Sequence, residues 1–270
     1  MLRSLHVENF RALREFRMTG LGRVNLLVGT NNCGKTSVLE ALNVLLAPGW
    51  PPAIWGSLVR RGESSGVEVE IGHLVHGHRA DANARFSIGG IDGPATLHAN
   101  AVVRPISNAD IALVQLDARV RRGGNQDELA EQSRLVFETF WRRDDHQTDS
   151  VQWLVSPRGG IDPSGALATP SDPVADEPVA FVTTEGVSLN EVVSLFGQSA
   201  LTPGEDLVLA ALQTIEPRLE RLAIVTSREL RTARSRGGLA AMVDGQRIPI
   251  GSMGDGIWRL LGIALSLVRA

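Results

Sequence analysis

The chain has no tyrosine, one cysteine and one lysine, and aromatic residues make up 4% of its 270 positions. A single cysteine excludes an internal disulfide framework and a cysteine-rich metal site. So few aromatics argue against platforms that stack nucleic-acid bases. No apolar run approaches the roughly 20 residues of a membrane span. Residues 1–10 alternate and carry charge where a secretion signal would open an apolar run. The expectation is a soluble, cytoplasmic protein with no membrane partner. A net charge of −3 gives no global pull toward nucleic acid or an anionic surface. With 43% hydrophobic and 21% charged residues, the chain can build an ordinary core as one large domain or two small ones.

The scarcity of lysine is informative. Of 27 basic residues 26 are arginine, and the exception is Lys35. A GC-rich genome produces that bias, and arginine fills most surface roles as well as lysine does. It does not replace a compact ammonium on a flexible stem inside a tight phosphate loop.

Residues 1–28 read as two or three strands. Leu5 and Val7 alternate with His6 and Glu8, Asn9-Phe10-Arg11 follows as a turn, and Phe16 and Met18 mark a second strand. Residues 23–28 (RVNLLV) are nearly all apolar, which predicts a strand buried on both faces. Val38, Leu39, Leu42, Leu45 and Leu46 form a helical stripe over 36–46, ended by Pro48, Gly49, Pro51 and Pro52. The stretch 67–120 looks strand-rich. Val67, Val69 and Ile71 alternate, β-like pieces lie at 85–88, 95–103 and 111–116, and Gly89-Gly90 and Asp92-Gly93 read as turns. Residues 129–141 read as a helix. Residues 156–178, with five prolines and three glycines, read as a linker. Ser188-Leu189-Asn190-Glu191 and Thr202-Pro203-Gly204-Glu205 fit capping boxes at helix starts. Residues 219–225 read as a strand, and Asp244-Gly245 signals a hairpin between 239–243 and 246–250. The last helix, 257–268, is apolar nearly all round and predicts burial.

Gly29-Thr30-Asn31-Asn32-Cys33-Gly34-Lys35-Thr36 fits GxxxxGK[ST] without exception, between an apolar run and an amphipathic helix. Glycines let backbone N–H groups turn inward around a β-phosphate, and the helix N-terminus adds its dipole and unpaired donors. Lys35 reaches the β- and γ-oxygens, and the Thr36 hydroxyl coordinates Mg²⁺. ATP and Mg are therefore the expected ligands. Cys33 reads as a loop residue, since no histidine partner for a catalytic thiol is visible.

The first 46 residues resemble the start of SMC/RecF/OLD-like ATPases, an ABC-type group often labelled AAA ATPase. In that group an Asn-Phe-[Arg/Lys] turn precedes a loop of the form GxNNxGK[TS]xhhEAL. Here these are Asn9-Phe10-Arg11 and residues 29–42, ending Glu40-Ala41-Leu42. The resemblance implies that Ser37 joins the loop's ligand set and that Arg11 lies near the nucleotide, although a plain surface arginine is nearly as good a reading. A second match, Ser252-Met253-Gly254-Asp255-Gly256 before an apolar helix, resembles the group's signature motif. It implies that Ser252, Gly254, Asp255 and Gly256 close over the γ-phosphate held by a partner subunit, in an ATP-dependent homodimer. The group continues with a strand ending in Asp-Glu, which supplies a Mg²⁺ ligand and the base. This sequence ends at Ala270, so the expectation is a C-terminally incomplete head that hydrolyses ATP weakly or completes its site through a partner.

Other patterns weigh less. Residues 111–117 imitate a strand ending in a Mg²⁺-binding Asp117, but they precede the signature and continue with Ala118. His73, His76 and His78 suggest zinc, yet no carboxylate or cysteine completes a set; on a strand His76 and His78 would share a face. Arg228, Arg231, Arg234 and Arg236, or Arg119, Arg121 and Arg122, are candidates for DNA phosphates, though charge runs are usually solvated faces. The expected fold is α/β: a P-loop NTPase head over 1–270, with a β-rich lobe and an inserted helical segment at about 125–215. Two functions follow from it: an ATPase that closes as a nucleotide-sandwich dimer, or a nucleotide-dependent dimerisation module acting through a protein or nuclease partner.

Overall fold

A computed structural model of the chain describes residues 1–47, 51–120, 133–144, 146–147, 150–168, 179–183, 186–225 and 238–269. The chain divides into two compact units, Met1–Glu177 and Pro178–Ala270. Both units mix strands and helices, in agreement with the α/β expectation.

The first unit is built on an antiparallel sheet. Its strands β1 (Leu2–Phe10) and β2 (Leu13–Thr19) are followed by helices α1 (Lys35–Leu46) and α2 (Pro51–Arg60). Short strands β3 (Ser64–Ser65) and β4 (Glu68–Glu70) lead to β5 (Arg85–Asp92), β6 (Ala95–Pro105) and helix α3 (Asn108–Val120). Then come β7 (Leu135–Arg143), β8 (His146–Gln147), β9 (Val151–Val155), β10 (Gly160–Ile161) and β11 (Ala166–Ala168). The order across the sheet is β11-β9-β7-β6-β5-β1-β2, with β8 on β7. Alternation sets the faces: Leu5 and Val7 of β1, Phe86 and Ile88 of β5, and Leu97, Ala99, Ala101 and Val103 of β6 all enter one core. Helix α1 lies on that face through Ala41, Val44 and Leu45, which are fully buried. Gly90 permits the approach: a Cβ there would meet Ser4 O at 2.6 Å and Leu45 Cδ2 at 2.9 Å. That is why Gly89-Gly90, read as a turn, lies inside β5 instead. The indole Nε1 of Trp141 donates to Leu45 O at the helix end, 3.0 Å away.

Three further readings change. Residues 23–28 form no strand, and Val24, Leu26 and Val28 are each more than 80% exposed. The chain leaves the sheet after β2, and no strand among the described residues pairs with this run. Residues 111–116 belong to α3. Its start is fixed by Ser107 and Asp110: the Ser107 amide donates to Asp110 Oδ2 at 2.7 Å, and the Asp110 amide to Ser107 Oγ at 3.3 Å. The described part of 129–141 is strand, because Val136 and Phe137 pack on opposite sides of β7. Within the span 125–215, helix among the described residues is confined to 189–213.

The second unit has helices α4 (Leu189–Ser199) and α5 (Pro203–Gln213), a three-stranded sheet β12 (Leu219–Ile224), β13 (Leu239–Val243) and β14 (Gln246–Pro249), and helix α6 (Asp255–Arg269). Both expected caps form: Ser188 accepts from the Glu191 amide and Thr202 from the Gly204 amide. Asp244 and Gly245 take φ of 49° and 70°, the left-handed pair of a two-residue hairpin turn. The last helix is buried along Ile257, Leu261 and Leu265, while Leu267 is 69% exposed, so its burial is one-sided. No helix among the described residues is long and apolar enough to cross a membrane.

Candidate functional site

The glycine-rich loop of the first unit becomes a cradle at the start of α1. Asn32 and Gly34 take φ of 63° and 91°, so the loop reverses twice before the helix begins. A side chain at Gly34 would press on Leu13 Cδ2, 3.1 Å from an added Cβ, as well as straining the backbone. Gly34 is also the N-cap residue, and it carries no side chain to satisfy the first turn. No acidic residue follows in that turn. The amides at the head of α1 therefore remain free for an anion, reinforced by the helix dipole. The Lys35 ammonium donates to Gly29 O and Thr30 O at 2.8 and 2.7 Å and lies 3.8 Å from Cys33 Sγ. It is thus held across the loop, at the place where phosphate oxygens can exchange for carbonyls. Thr36 is exposed at the same mouth, whereas Ser37 is buried.

A cleft of about 310 Å³ opens over this cradle. Its walls are residues 31–37, Arg11 and Ala12 from the β1–β2 turn, Arg61 and Glu63 after α2, and His73 and His78. Arg11, expected near the nucleotide, does reach the cleft, but its guanidinium is 4% exposed and already engaged. Nη1 donates to both Glu63 oxygens at 3.1 and 2.9 Å, and Nη2 to Ser57 Oγ at 2.9 Å. Its Nε lies 2.8 Å from Glu40 Oε2, close enough for an ion pair but too bent for a hydrogen bond. Arg61 grips the same Glu40 with Nε and Nη2, both at 2.9 Å, and that hydrogen bonding raises its pKa against the effect of burial. The turn itself is clasped from behind, where the Arg11 amide donates to Leu74 O and the His76 amide to Asn9 O. The network ties the turn, α1 and α2 together beneath the phosphate loop. Sequence reading missed Glu40, Ser57, Arg61 and Glu63. One signal was present, since Glu40 sits on the buried face of α1 among Val38, Ala41 and Val44.

The three histidines are not on a strand. Residues Ile71–Leu74 form a 3₁₀ turn, and His78 takes φ of 58°. His76 donates through Nδ1 to Arg11 O at 3.0 Å. His73 and His78 meet with their Nδ1 atoms 3.2 Å apart, and His73 Nε2 lies 3.1 Å from Glu70 Oε2. Among the described residues no group of three or more His, Cys, Asp or Glu is arranged to hold a metal ion.

The residues expected to form a signature belong to the second unit. Gly254, at φ 93°, joins a 3₁₀ turn (Ile250–Met253) to α6. Ser252, Gly254, Asp255 and Gly256 are all exposed, and added Cβ atoms at Gly254 and Gly256 would meet nothing within 4 Å. Asp117 falls within α3, not at a strand end. Arg121, Arg122, Arg228, Arg231, Arg234 and Arg236 lie outside the described residues, as does the side chain of Arg119.

Comparison with known proteins bears on the first unit. Residues 1–68 match the AAA ATPase domain family. Over 47 residues, 17% of this chain, it is 43% identical to the uncharacterised protein MJECL10 of Methanocaldococcus jannaschii. Over 51 residues, 19% of the chain, it is 41% identical to the OLD nuclease of Thermus scotoductus. The aligned segments span 22% and 10% of those two proteins. A solved structure of the recombination mediator protein RecF with ATP aligns over 99% of this chain and 79% of its own, at 12% identity and a TM-score of 0.39. The likeness to the AAA ATPase domain family thus lies in residues 1–68, the part of the chain that carries the glycine-rich loop.

Proposed function

We propose that the first unit binds ATP with Mg²⁺, its polyphosphate seated on the cradle at 29–36. The observation that carries this reading is the uncapped start of α1, with Lys35 poised across the loop in a cleft of about 310 Å³. The β-phosphate would take the amides of 34–36, Lys35 would bridge to the γ-oxygens, and Thr36 would give Mg²⁺ one protein oxygen. The fit is good for the phosphates and partial for the metal. Glu63 is the one carboxylate among the described residues lining the cleft, and both its oxygens are held by Arg11.

That detail favours a second reading beside a turning-over ATPase. In this reading the unit binds ATP and hydrolyses it slowly, since a positioned general base is worth roughly 10²–10⁴-fold and Glu63 is held by Arg11. It then works as a nucleotide-dependent dimerisation or partner-binding module. The exposed glycines at the head of the 15-residue α6 leave room for a γ-phosphate carried by a second copy. A nuclease or other protein partner, and DNA, are the partner classes that the family resemblance adds.

Lys35→Ala tests the core of the proposal. Calorimetry should show affinity for Mg-ATP falling at least tenfold while the circular dichroism stays that of the parent. In the parent, bound nucleotide should also shield exposed Cys33 from a maleimide. Equal affinity in the two proteins, with no shielding, would remove the P-loop assignment.

A further inference from the structure

We propose that His73 and His78, backed by Glu70, form a proton-carrying side wall of the nucleotide cleft that donates to the bound polyphosphate; the proposal rests on the nucleotide reading above. His73 and His78 line the same cleft as Lys35, Thr36 and Ser37. The three groups form a chain, since Glu70 Oε2 is 3.1 Å from His73 Nε2 and the two Nδ1 atoms are 3.2 Å apart.

The chemistry follows from the number of protons on that chain. A carboxylate can only accept, so His73 donates to Glu70 through Nε2. With both rings neutral, the shared Nδ1–Nδ1 contact holds one proton. His73 Nδ1 then accepts from His78, and His78 Nε2 is left as an acceptor that faces a polyanion poorly. One added proton leaves the Nδ1 contact intact and makes His78 Nε2 a donor. Two added protons would place like charges 3.2 Å apart, so the pair takes up one. The charges around the pair leave a role for that proton. Of the cations among the described residues lining the cleft, Arg11 and Arg61 are neutralised by Glu40 and Glu63, and Lys35 remains as a permanent charge. Cys33 from the loop also lines the cleft, while His76, from the same segment as the pair, is bonded to Arg11 O behind it. Among the described residues of the cleft, a polyphosphate therefore meets one fixed cation and one that comes with a proton. Binding the polyanion also draws that proton onto the pair, which links nucleotide affinity to proton uptake.

The test compares Mg-ADP and Mg-ATP binding by calorimetry at about pH 6 and about pH 8. The full chain is compared with His78→Asn and His73→Gln. Asparagine is chosen at 78 because it tolerates the positive φ there. The parent should gain about three- to tenfold in affinity in acid relative to either variant, the worth of one charge-assisted hydrogen bond at a half-exposed site. Titration of the nucleotide itself is common to all three proteins and cancels. Proton uptake on binding, read from the buffer dependence of the heat, should be greater in the parent than in the variants, which retain only the nucleotide's own exchange. The same acid-to-alkaline ratio in parent and variants overturns the histidine wall alone. No binding by the parent at either pH removes the nucleotide reading and this proposal with it.

Discussion

Replacing Glu40 by alanine removes the carboxylate that Arg11 and Arg61 share beneath the phosphate loop. Glu40 is 2% exposed and Arg11 4%, so water cannot compensate the lost contact. Stripping one partner from a buried ion pair costs about 3–5 kcal/mol, because the other charge stays behind in a poorly solvated site. Arg11 keeps its bidentate contact with Glu63 and its bond from Nη2 to Ser57, which puts the loss at the lower end. Arg61 is 35% exposed, and its share is worth about 0–1 kcal/mol after screening. The sum is about 3 kcal/mol, or roughly 6–12 °C in the melting of a unit this size. The assay is denaturant unfolding followed by tryptophan fluorescence, since Trp55 and Trp153 sit in the same core. Glu40→Gln should lose nearly as much, because the amide keeps the shape and not the charge. A loss below about 1 kcal/mol in both variants would show that the network is solvated in solution and does not brace the loop.

The remaining predictions concern assembly and acid stability. Mg-ATP should raise the mass of the chain toward a dimer in light scattering, and Ser252→Arg or Gly254→Asp should block this without abolishing nucleotide binding. An unchanged mass in parent and variants alike would leave the signature without a role in trans. Asp110 is held far below its ordinary value of 3.8, chiefly by hydrogen bonds from Arg104, with burial opposing and the Ser107 hydroxyl and amide adding to the effect. A depressed carboxylate stabilises the fold above its unfolded pKa, and that stability is lost as the pH falls through the folded value. Unfolding midpoints of the parent should therefore drop more steeply below about pH 4 than those of Asp110→Asn. Parallel slopes would refute the assignment.

The segments that the sequence by itself determined are those whose partners lie within a few residues. The loop-to-helix shape at 29–46, the caps at Ser188 and Thr202 and the turn at Asp244-Gly245 depend on local φ and on amides two or three positions away. The alternating pattern also placed β1, and β-like composition placed 85–88 of β5 and 95–103 of β6. Apolar runs were ambiguous because a strand exists only by pairing. Residues 23–28 have the composition of a buried strand and no described neighbour, while 135–143 became one because β6 and β9 flank it. Residues 111–116 went to helix because Ser107 and Asp110 cap it, a local signal hidden by the β-branched residues that follow. The walls of the cleft were beyond the sequence altogether. Arg11, Glu40 and Glu63 are far apart along the chain, as are Lys35 and His78, and only the folded hairpin, α1 and the turn after β4 bring them together. Tertiary structure decided these contacts because a charge gains from a distant opposite charge only after both have been buried, and no local pattern records that.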